Sequence, residues 1–176
     1  MFFDRFFKRR PALAAGAKLY AAAVARARNP RLYADYAAPD TVEGRFELYT
    51  LHVFLLLDRL RGEGPQASET SQALFDTYVT ALDDALREMG VGDLSVGKKM
   101  RKLGEAFYGR VKSYEKAFQA LPDAAALEAL VARTVYAGGD AQAAPKLAAY
   151  VVTERAALRE APVARLLAGD APWSEA

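Results

Sequence analysis

The feature that most constrains the fold is a row of large apolar residues spaced three or four positions apart. The row consists of Met100, Leu103, Phe107, Val111, Tyr114, Phe118 and Leu121. This spacing places all seven side chains on one face of an α-helix. Strict two-residue alternation extends over no useful length, so a β-sheet has no support in the sequence.

Glycine, proline and capping residues divide the rest of the chain into further helices. Pro39 and Asp40 open a segment that runs to about Leu60, with Asp40 as the expected N-cap. This segment is apolar on most of its circumference, which predicts a central helix surrounded by others. An acidic helix follows and ends at Gly90. We therefore predict an all-α fold, a single-domain bundle of six or seven helices with a central apolar helix.

Distinct segments are expected at both ends of the helical domain. We assign residues 11–168 to the domain, residues 1–10 to a basic amphipathic segment and residues 169–176 to a polar tail. In the first segment four phenylalanines recur at helical spacing beside basic residues, which is typical of a helix at a membrane interface. The alternative is that they pack on the protein itself or on a second copy. The four candidate membrane contacts are Phe2, Phe3, Phe6 and Phe7.

The composition excludes most kinds of catalytic centre. The chain has 176 residues, no Cys and a single His, His52. Disulfides, Cys-zinc sites, iron–sulfur clusters, thiol catalysis and multi-His metal cages are therefore excluded. Haem ligation by His52 with Met89 or Met100 is conceivable, but a lone His and stripe methionines are more typical of a packed core. We predict a protein that is not an enzyme and holds no cofactor or metal.

One short segment partly matches the sequence pattern of a phosphate-binding loop. Residues 92–99 have the spacing GxxxxGK, but Lys99 stands where a magnesium-ligating Ser or Thr is needed, and a helix precedes the loop. A nucleotide site is therefore not predicted. Gly97 is interpreted as a close helix contact, and Gly109 either as such a contact or as a place where a partner backbone approaches Tyr108.

The net charge of +2 conceals two segments of opposite sign. Residues 63–88 carry a net charge of −5, and residues 94–116 carry +5. One interpretation is that two neighbouring helices attract each other through their solvent faces, and the other is a dedicated anion-binding surface. The candidate basic surface consists of Lys98, Lys99, Arg101 and Lys102.

Five blocks of the sequence resemble the ubiquinol–cytochrome c chaperone family. They are residues 28–33 (RNPRLY), 39–48 (PDTVEGRFEL), 51–55 (LHVFL), 86–96 (LREMGVGDLSV) and 106–110 (AFYGR). The chain looks like a bacterial rather than a mitochondrial member. The mitochondrial members are all-helical assembly factors that hold newly made cytochrome b, near the ribosome and the inner membrane, until it enters respiratory complex III.

The resemblance implies a non-enzymatic chaperone whose client is cytochrome b or another hydrophobic membrane protein. It implies a cytoplasmic location, with the ribosome and the cytoplasmic face of the inner membrane as further contacts. Mitochondrial members work with a small partner subunit, and for this chain self-association into a homo-oligomer stays open as an alternative. The resemblance carries no catalytic residues.

We expect the client to bind in a groove between the central helix and the helices on either side of Gly90. The expected lining is Arg45, His52, Arg87, Met89, Asp93, Phe107, Tyr108 and Arg110. For the charged members, ion pairs at the rim of the core are the alternative interpretation. The competing hypothesis for the whole protein is an adaptor that contacts a membrane surface or the ribosome through its basic helix face.

Overall fold

The computed structural model describes residues 2–137 and 139–175, with side chains for residues 11–137 and 139–175. The described residues form eight helices and no strand, which confirms the predicted all-α fold. Six helices are long and two have only five residues. They are α1 (Phe2–Ala27), α2 (Pro30–Ala34), α3 (Val42–Leu60), α4 (Pro65–Glu88), α5 (Asp93–Gln119), α6 (Ala125–Thr134), α7 (Ala144–Glu160) and α8 (Val163–Leu167).

Helix α3 is the centre of the core, as its apolar circumference predicts. Eleven of its 19 residues are buried, and it contacts α1, α4, α5, α7 and α8. Phe54 stacks on Tyr114 of α5, with 5.2 Å between ring centroids. Helix α1 packs along α4, and Gly16 makes the close approach: a Cβ there would lie 2.6 Å from the Cβ of Ala73.

Two helix ends differ from the sequence prediction. The N-cap of α3 is Thr41 rather than Asp40, because the Thr41 hydroxyl accepts a hydrogen bond of 3.0 Å from the backbone N–H of Gly44. The boundary expected at Pro11 is not a break, since α1 runs through it from Phe2 to Ala27. The side chains of Phe2, Phe3, Phe6 and Phe7 lie outside the described residues, so their membrane contact stays a prediction.

No helix in the described part of the chain combines the length and the apolarity that crossing a bilayer requires. The described residues also contain no cluster of His, Asp and Glu side chains that could hold a metal ion.

Candidate functional site

The candidate site is the outer half of the α4–α5 hairpin, residues 79–108, which we call the distal hairpin. Within it only Val96 and Phe107 are buried, whereas the inner halves of both helices contribute to the core. Tyr78 is the last buried residue of α4, and the helix continues to Glu88, about 15 Å further along its axis. The distal hairpin therefore projects from the body of the bundle.

Three large apolar side chains of the distal hairpin are open to solvent. Leu94 is fully exposed, Met89 is 60% exposed and Tyr108 is 59% exposed. The apolar row that joins the two helices is only half-buried in this part of the hairpin. Its half-buried members are Leu82, Leu86, Met100 and Leu103. Exposed and half-covered apolar side chains thus lie together on one element, which is typical of an interaction surface.

Aromatic rings pack where the distal hairpin meets the body. The ring of Phe75 lies 5.1 Å from that of Phe107 and 6.2 Å from that of Tyr108, centroid to centroid. Phe107 is buried and forms the floor of this cluster, while Tyr108 faces outward beside it. The structure therefore brings two of the predicted site residues together at the base of the distal hairpin.

Three glycines of α5 have open surroundings. A Cβ added to Gly97, Gly104 or Gly109 would meet nothing within 4 Å among the described residues. The close helix contact predicted at Gly97 is therefore wrong within the described chain, and so is packing as the explanation of Gly109. A glycine inside a helix costs about 0.5–1 kcal/mol relative to Ala, and no contact in the described chain compensates for it. Gly97 and Gly104 are seven residues apart and share one flank of α5.

Arg87 and Asp93 close the turn at the tip of the hairpin. Arg87 donates from Nε to Asp83, at 2.6 Å, and from Nη1 to Asp93 across the turn. Both residues are exposed, and Met89 lies between them in the sequence. The ion pairs raise the pKa of Arg87, and the hydrogen bond that Arg87 donates to Asp83 is the largest cause. Three of the predicted site residues thus meet at the tip, where the two charged ones pair with each other.

Arg110 ties α5 to the central helix. Its guanidinium makes two parallel hydrogen bonds of 2.8 and 2.7 Å to the carboxylate of Glu47, which is buried. This bidentate geometry is the strongest kind of side-chain ion pair, and it raises the pKa of Arg110. The contact supports the ion-pair interpretation of this residue.

The opposite charges of the two helices do not neutralise each other. The one ion pair that joins α4 to α5 in the described chain is Arg87–Asp93, in which the arginine comes from the acidic helix. The basic surface residues are all exposed, and none of them forms an ion pair with a described residue. These four residues are Lys98, Lys99, Arg101 and Lys102. The expected attraction between the two faces therefore involves one direct ion pair among the described residues, Arg87–Asp93, and beyond it stays a prediction.

Arg45 lies in a different part of the molecule. It is exposed near the start of α3, where its Nε donates to Asp40 at 2.5 Å. Together with Arg28 and Tyr33 it lines an open surface recess of about 830 Å³ at the junction of α1, α2 and α3. The structure does not bring Arg45 to the distal hairpin.

His52 is wholly buried, so its predicted place in the lining of a groove is wrong. Its Nδ1 lies 2.8 Å from the carbonyl oxygen of Leu48, which only accepts, so Nδ1 carries the proton. Its Nε2 accepts from the hydroxyl of Tyr150, also at 2.8 Å. Burial lowers the pKa of His52 to about 4 and keeps the ring neutral.

A buried network that sequence reasoning missed continues from Tyr150 to the C-terminal tail. Arg26 donates to the Tyr150 hydroxyl and pairs with Glu154, which is completely buried. Glu154 also accepts from the backbone N–H and the hydroxyl of Ser174. The predicted polar tail thus packs on the body, with Trp173 edge-on against His52 at 5.5 Å. The available signal was an acidic residue at the core spacing of α7.

Comparisons with known proteins agree on one relationship. A model of the ubiquinol-cytochrome C chaperone family matches residues 34–173. The crystal structure of the Cbp3 homolog from Brucella abortus superposes with a TM-score of 0.86 and 38% identity, covering 99% of this chain and 97% of that one. Ubiquinol-cytochrome-c reductase complex assembly factor 1 from Xenopus laevis is 22% identical over 102 residues, which are 58% of this chain. The chain spans about half, 51%, of the length of that curated relative.

Proposed function

Because the chain belongs to the ubiquinol-cytochrome C chaperone family, we propose that it holds newly made cytochrome b during assembly of ubiquinol–cytochrome c reductase. The family is described as a chaperone and the curated relative as an assembly factor, which supports a non-enzymatic role. The client surface in this proposal is the distal hairpin. The observation that carries it is the coincidence of exposed Met89, Leu94 and Tyr108 with a half-buried apolar row on one projecting element.

A hydrophobic segment gains free energy by covering this surface. Burial of apolar area is worth roughly 25 cal/mol per Å², or about 1.5–3 kcal/mol for one large side chain. The surface is open along its length, so a segment can be held and released without unfolding the body. Gly97 next to Leu94 and Gly104 next to Tyr108 present no side chains, which allows a helical client to approach the backbone of α5 closely.

The charged residues of the predicted groove have supporting roles in this proposal. Arg87 and Asp93 fix the turn, and Arg110 fixes the base of α5 through Glu47. A rigid frame lowers the entropic cost of ordering the surface when the client binds. Arg45 and His52 lie outside the client surface.

Photo-crosslinking in cells tests the client and the surface together. A photoreactive residue placed at position 94 or 108 should crosslink to cytochrome b, whereas one at the exposed Thr153 of α7 should not. Equal yields from all three positions would show that the capture is non-specific. Absence of cytochrome b from the adducts at 94 and 108, in variants that fold normally, would refute the proposal.

A matched pair of variants separates capture from stability. Leu94→Ser with Tyr108→Ser removes two exposed side chains and should weaken client capture about hundredfold, which corresponds to roughly 3 kcal/mol of lost burial. Val42→Ser removes a side chain that is 61% exposed on another face, and capture should stay unchanged. Val42→Ser should leave the melting temperature unchanged. The double variant should lower it by only a few degrees, because the exposed Tyr108 contacts the core through Phe75 and Phe107.

The adaptor hypothesis has one observation in its favour, the unpaired basic surface. Attraction to a membrane or to RNA is nevertheless weakened by the neighbouring helix. Residues 79–108 contain five basic and five acidic side chains. Packed helices lie 8–10 Å apart, about one Debye length at physiological salt, so the acidic helix opposes the approach of a polyanion. We therefore place the chaperone proposal first.

A further inference from the structure

The α4–α5 hairpin carries two charged faces of opposite sign and similar length. On α4 the acidic residues extend from Glu69 to Glu88, about 29 Å along the helix axis. On α5 the basic residues extend from Lys98 to Lys116, about 27 Å. The two faces are therefore matched in charge and in length.

Most charges of each face have no ion-pair partner among the described residues, and like charges within a face repel each other. The exceptions are Asp83, which pairs with Arg87, and Arg110, which pairs with Glu47. On α5, Lys98 and Lys102 are four residues apart, and Lys98 and Arg101 are three apart, which places like charges next to each other on the helix surface. On α4 the same holds for Asp84 and Glu88. An opposite charge brought from outside relieves both repulsions.

Apolar side chains lie within the same basic face. Leu94, Lys98, Arg101, Glu105, Tyr108 and Lys112 follow each other at steps of four and three and form one outward stripe of α5. Two members of this stripe, Leu94 and Tyr108, are the exposed apolar residues of the helix. A partner for this face must offer both acidic and apolar groups, and the α4 side of the hairpin offers both.

We propose that the α4–α5 hairpin pairs with the α4–α5 hairpin of a second copy, with the basic face of α5 against the acidic face of α4 in both directions. Such a contact is isologous, because the same patch serves both partners under two-fold symmetry. The dimer covers Leu94, Met89 and Tyr108. It goes beyond the proposed function, and where that function also holds, the dimer and the client compete for one surface.

A second copy fits these observations better than a polyanion does. The stripe contains one aromatic residue, whereas RNA binding without sequence preference uses several stacking aromatics. An anionic bilayer attracts α5 but repels the adjacent acidic α4. A second copy satisfies both helices at once.

The size of the surface predicts a weak dimer. Two helices side by side, each about 10 Å wide and 30 Å long, present roughly 600 Å² per partner, or about 1,200 Å² in total. This lies at the lower end of specific interfaces, where dissociation constants are micromolar. Exposed ion pairs dominate the contact, so salt should weaken it.

Sedimentation of the purified full chain, without client, tests the proposal. The wild-type protein should form a reversible dimer at micromolar concentrations in low salt, and raising the ionic strength from about 0.05 to 0.5 M should weaken it at least tenfold. A first variant, Lys98→Glu/Arg101→Glu/Lys102→Glu, makes both faces acidic. A second, Asp76→Lys/Asp84→Lys/Glu88→Lys, makes both faces basic. Each variant alone should be monomeric, whereas an equimolar mixture should form a heterodimer.

The mixture distinguishes lost charge complementarity from misfolding, because two misfolded variants would not form a heterodimer when mixed. Circular dichroism of each variant checks its fold. A wild-type protein that stays monomeric at all concentrations overturns the proposal. So does a mixture that does not associate. Salt-sensitive binding of the monomer to phosphatidylglycerol vesicles or to RNA, lost in the first variant, would assign the basic face to a polyanion instead. None of these measurements involves cytochrome b, so the client proposal can fail or hold independently.

Discussion

The Glu47–Arg110 pair decides whether Arg110 supports the fold or contacts a client. Replacing Arg110 by Met keeps the length of the side chain but leaves the carboxylate of Glu47 buried without its two hydrogen bonds. Removing one partner of a fully buried ion pair costs about 3–5 kcal/mol. Because the side chain of Arg110 is 28% exposed and that of Glu47 is 9% exposed, water can reach part of the site, and we expect about 2–3 kcal/mol.

Thermal and urea denaturation, followed by circular dichroism, measure this cost. For a chain of 176 residues, the expected loss corresponds to a fall in melting temperature of about 5–10 °C. Glu47→Leu combined with Arg110→Met replaces the pair by apolar groups and should recover most of the stability. The coupling energy of this double-mutant cycle should be about 1–3 kcal/mol.

Client capture by the folded fraction of Arg110→Met should equal that of the wild-type protein. The opposite result is equally clear: an unchanged melting temperature together with lost capture would refute the structural role and restore Arg110 to the client surface. A fall in both, with capture still lost after the apolar double replacement recovers stability, would also place Arg110 in contact with the client.

Two further predictions concern packing and pH. Gly16→Ala should lower the free energy of unfolding by about 2 kcal/mol, because the new Cβ would lie 2.6 Å from the Cβ of Ala73. Gly104→Ala has open surroundings and should raise the free energy of unfolding by about 0.5–1 kcal/mol. Equal effects of the two variants in urea denaturation would contradict the packing argument. The pKa of His52 is about 4 in the folded chain and about 6.5 in the unfolded chain, so the unfolded state takes up the proton first and stability falls as the pH drops from 6.5 to 4. The loss of stability is about 3 kcal/mol. It should be absent in His52→Gln, whose amide oxygen can accept a hydrogen bond from Tyr150. If His52→Gln shows the same pH dependence as the wild-type protein, His52 does not titrate in this way.

Local pattern was sufficient for most of the helices. The row from Met100 to Leu121 and the apolar circumference of α3 each identified a helix and its buried side. The helix starts were less certain, because neighbouring residues compete for the same cap. Asp40 and Thr41 can each accept from the first turn, and the choice of Thr41 follows from Asp40 being engaged by Arg45. That preference depends on a side chain five residues away and is not visible in a capping motif.

The candidate site was predicted only in part. Charged residues next to apolar helices can form ion pairs or line a groove, and the sequence alone does not separate these two interpretations. Glu47 and Glu154 lie at core positions of their helices, and each needs an arginine from a distant segment, Arg110 and Arg26 respectively. A sequence shows that such a carboxylate must be paired but not with which residue. The packing of the tail by Trp173 on His52 has the same origin, since it joins residues far apart in the chain.

The exposed apolar residues were harder to predict for a different reason, which is that their exposure depends on the extent of the bundle. Met89 and Tyr108 were predicted to line the client groove, and Leu94 was not. The sequence shows the inner faces of their helices clearly, but the exposure of these three side chains depends on where the body of the bundle ends. Phe107, Tyr114 and Phe118 of the inward row of α5 are buried, whereas Leu103 and Met100 of the same row are only half-buried. About half of the hairpin, residues 79–108, thus lies beyond the part that the core buries. Since uncovered apolar area favours any partner that excludes water from it, the extra length is the part of the sequence whose explanation must come from another polypeptide.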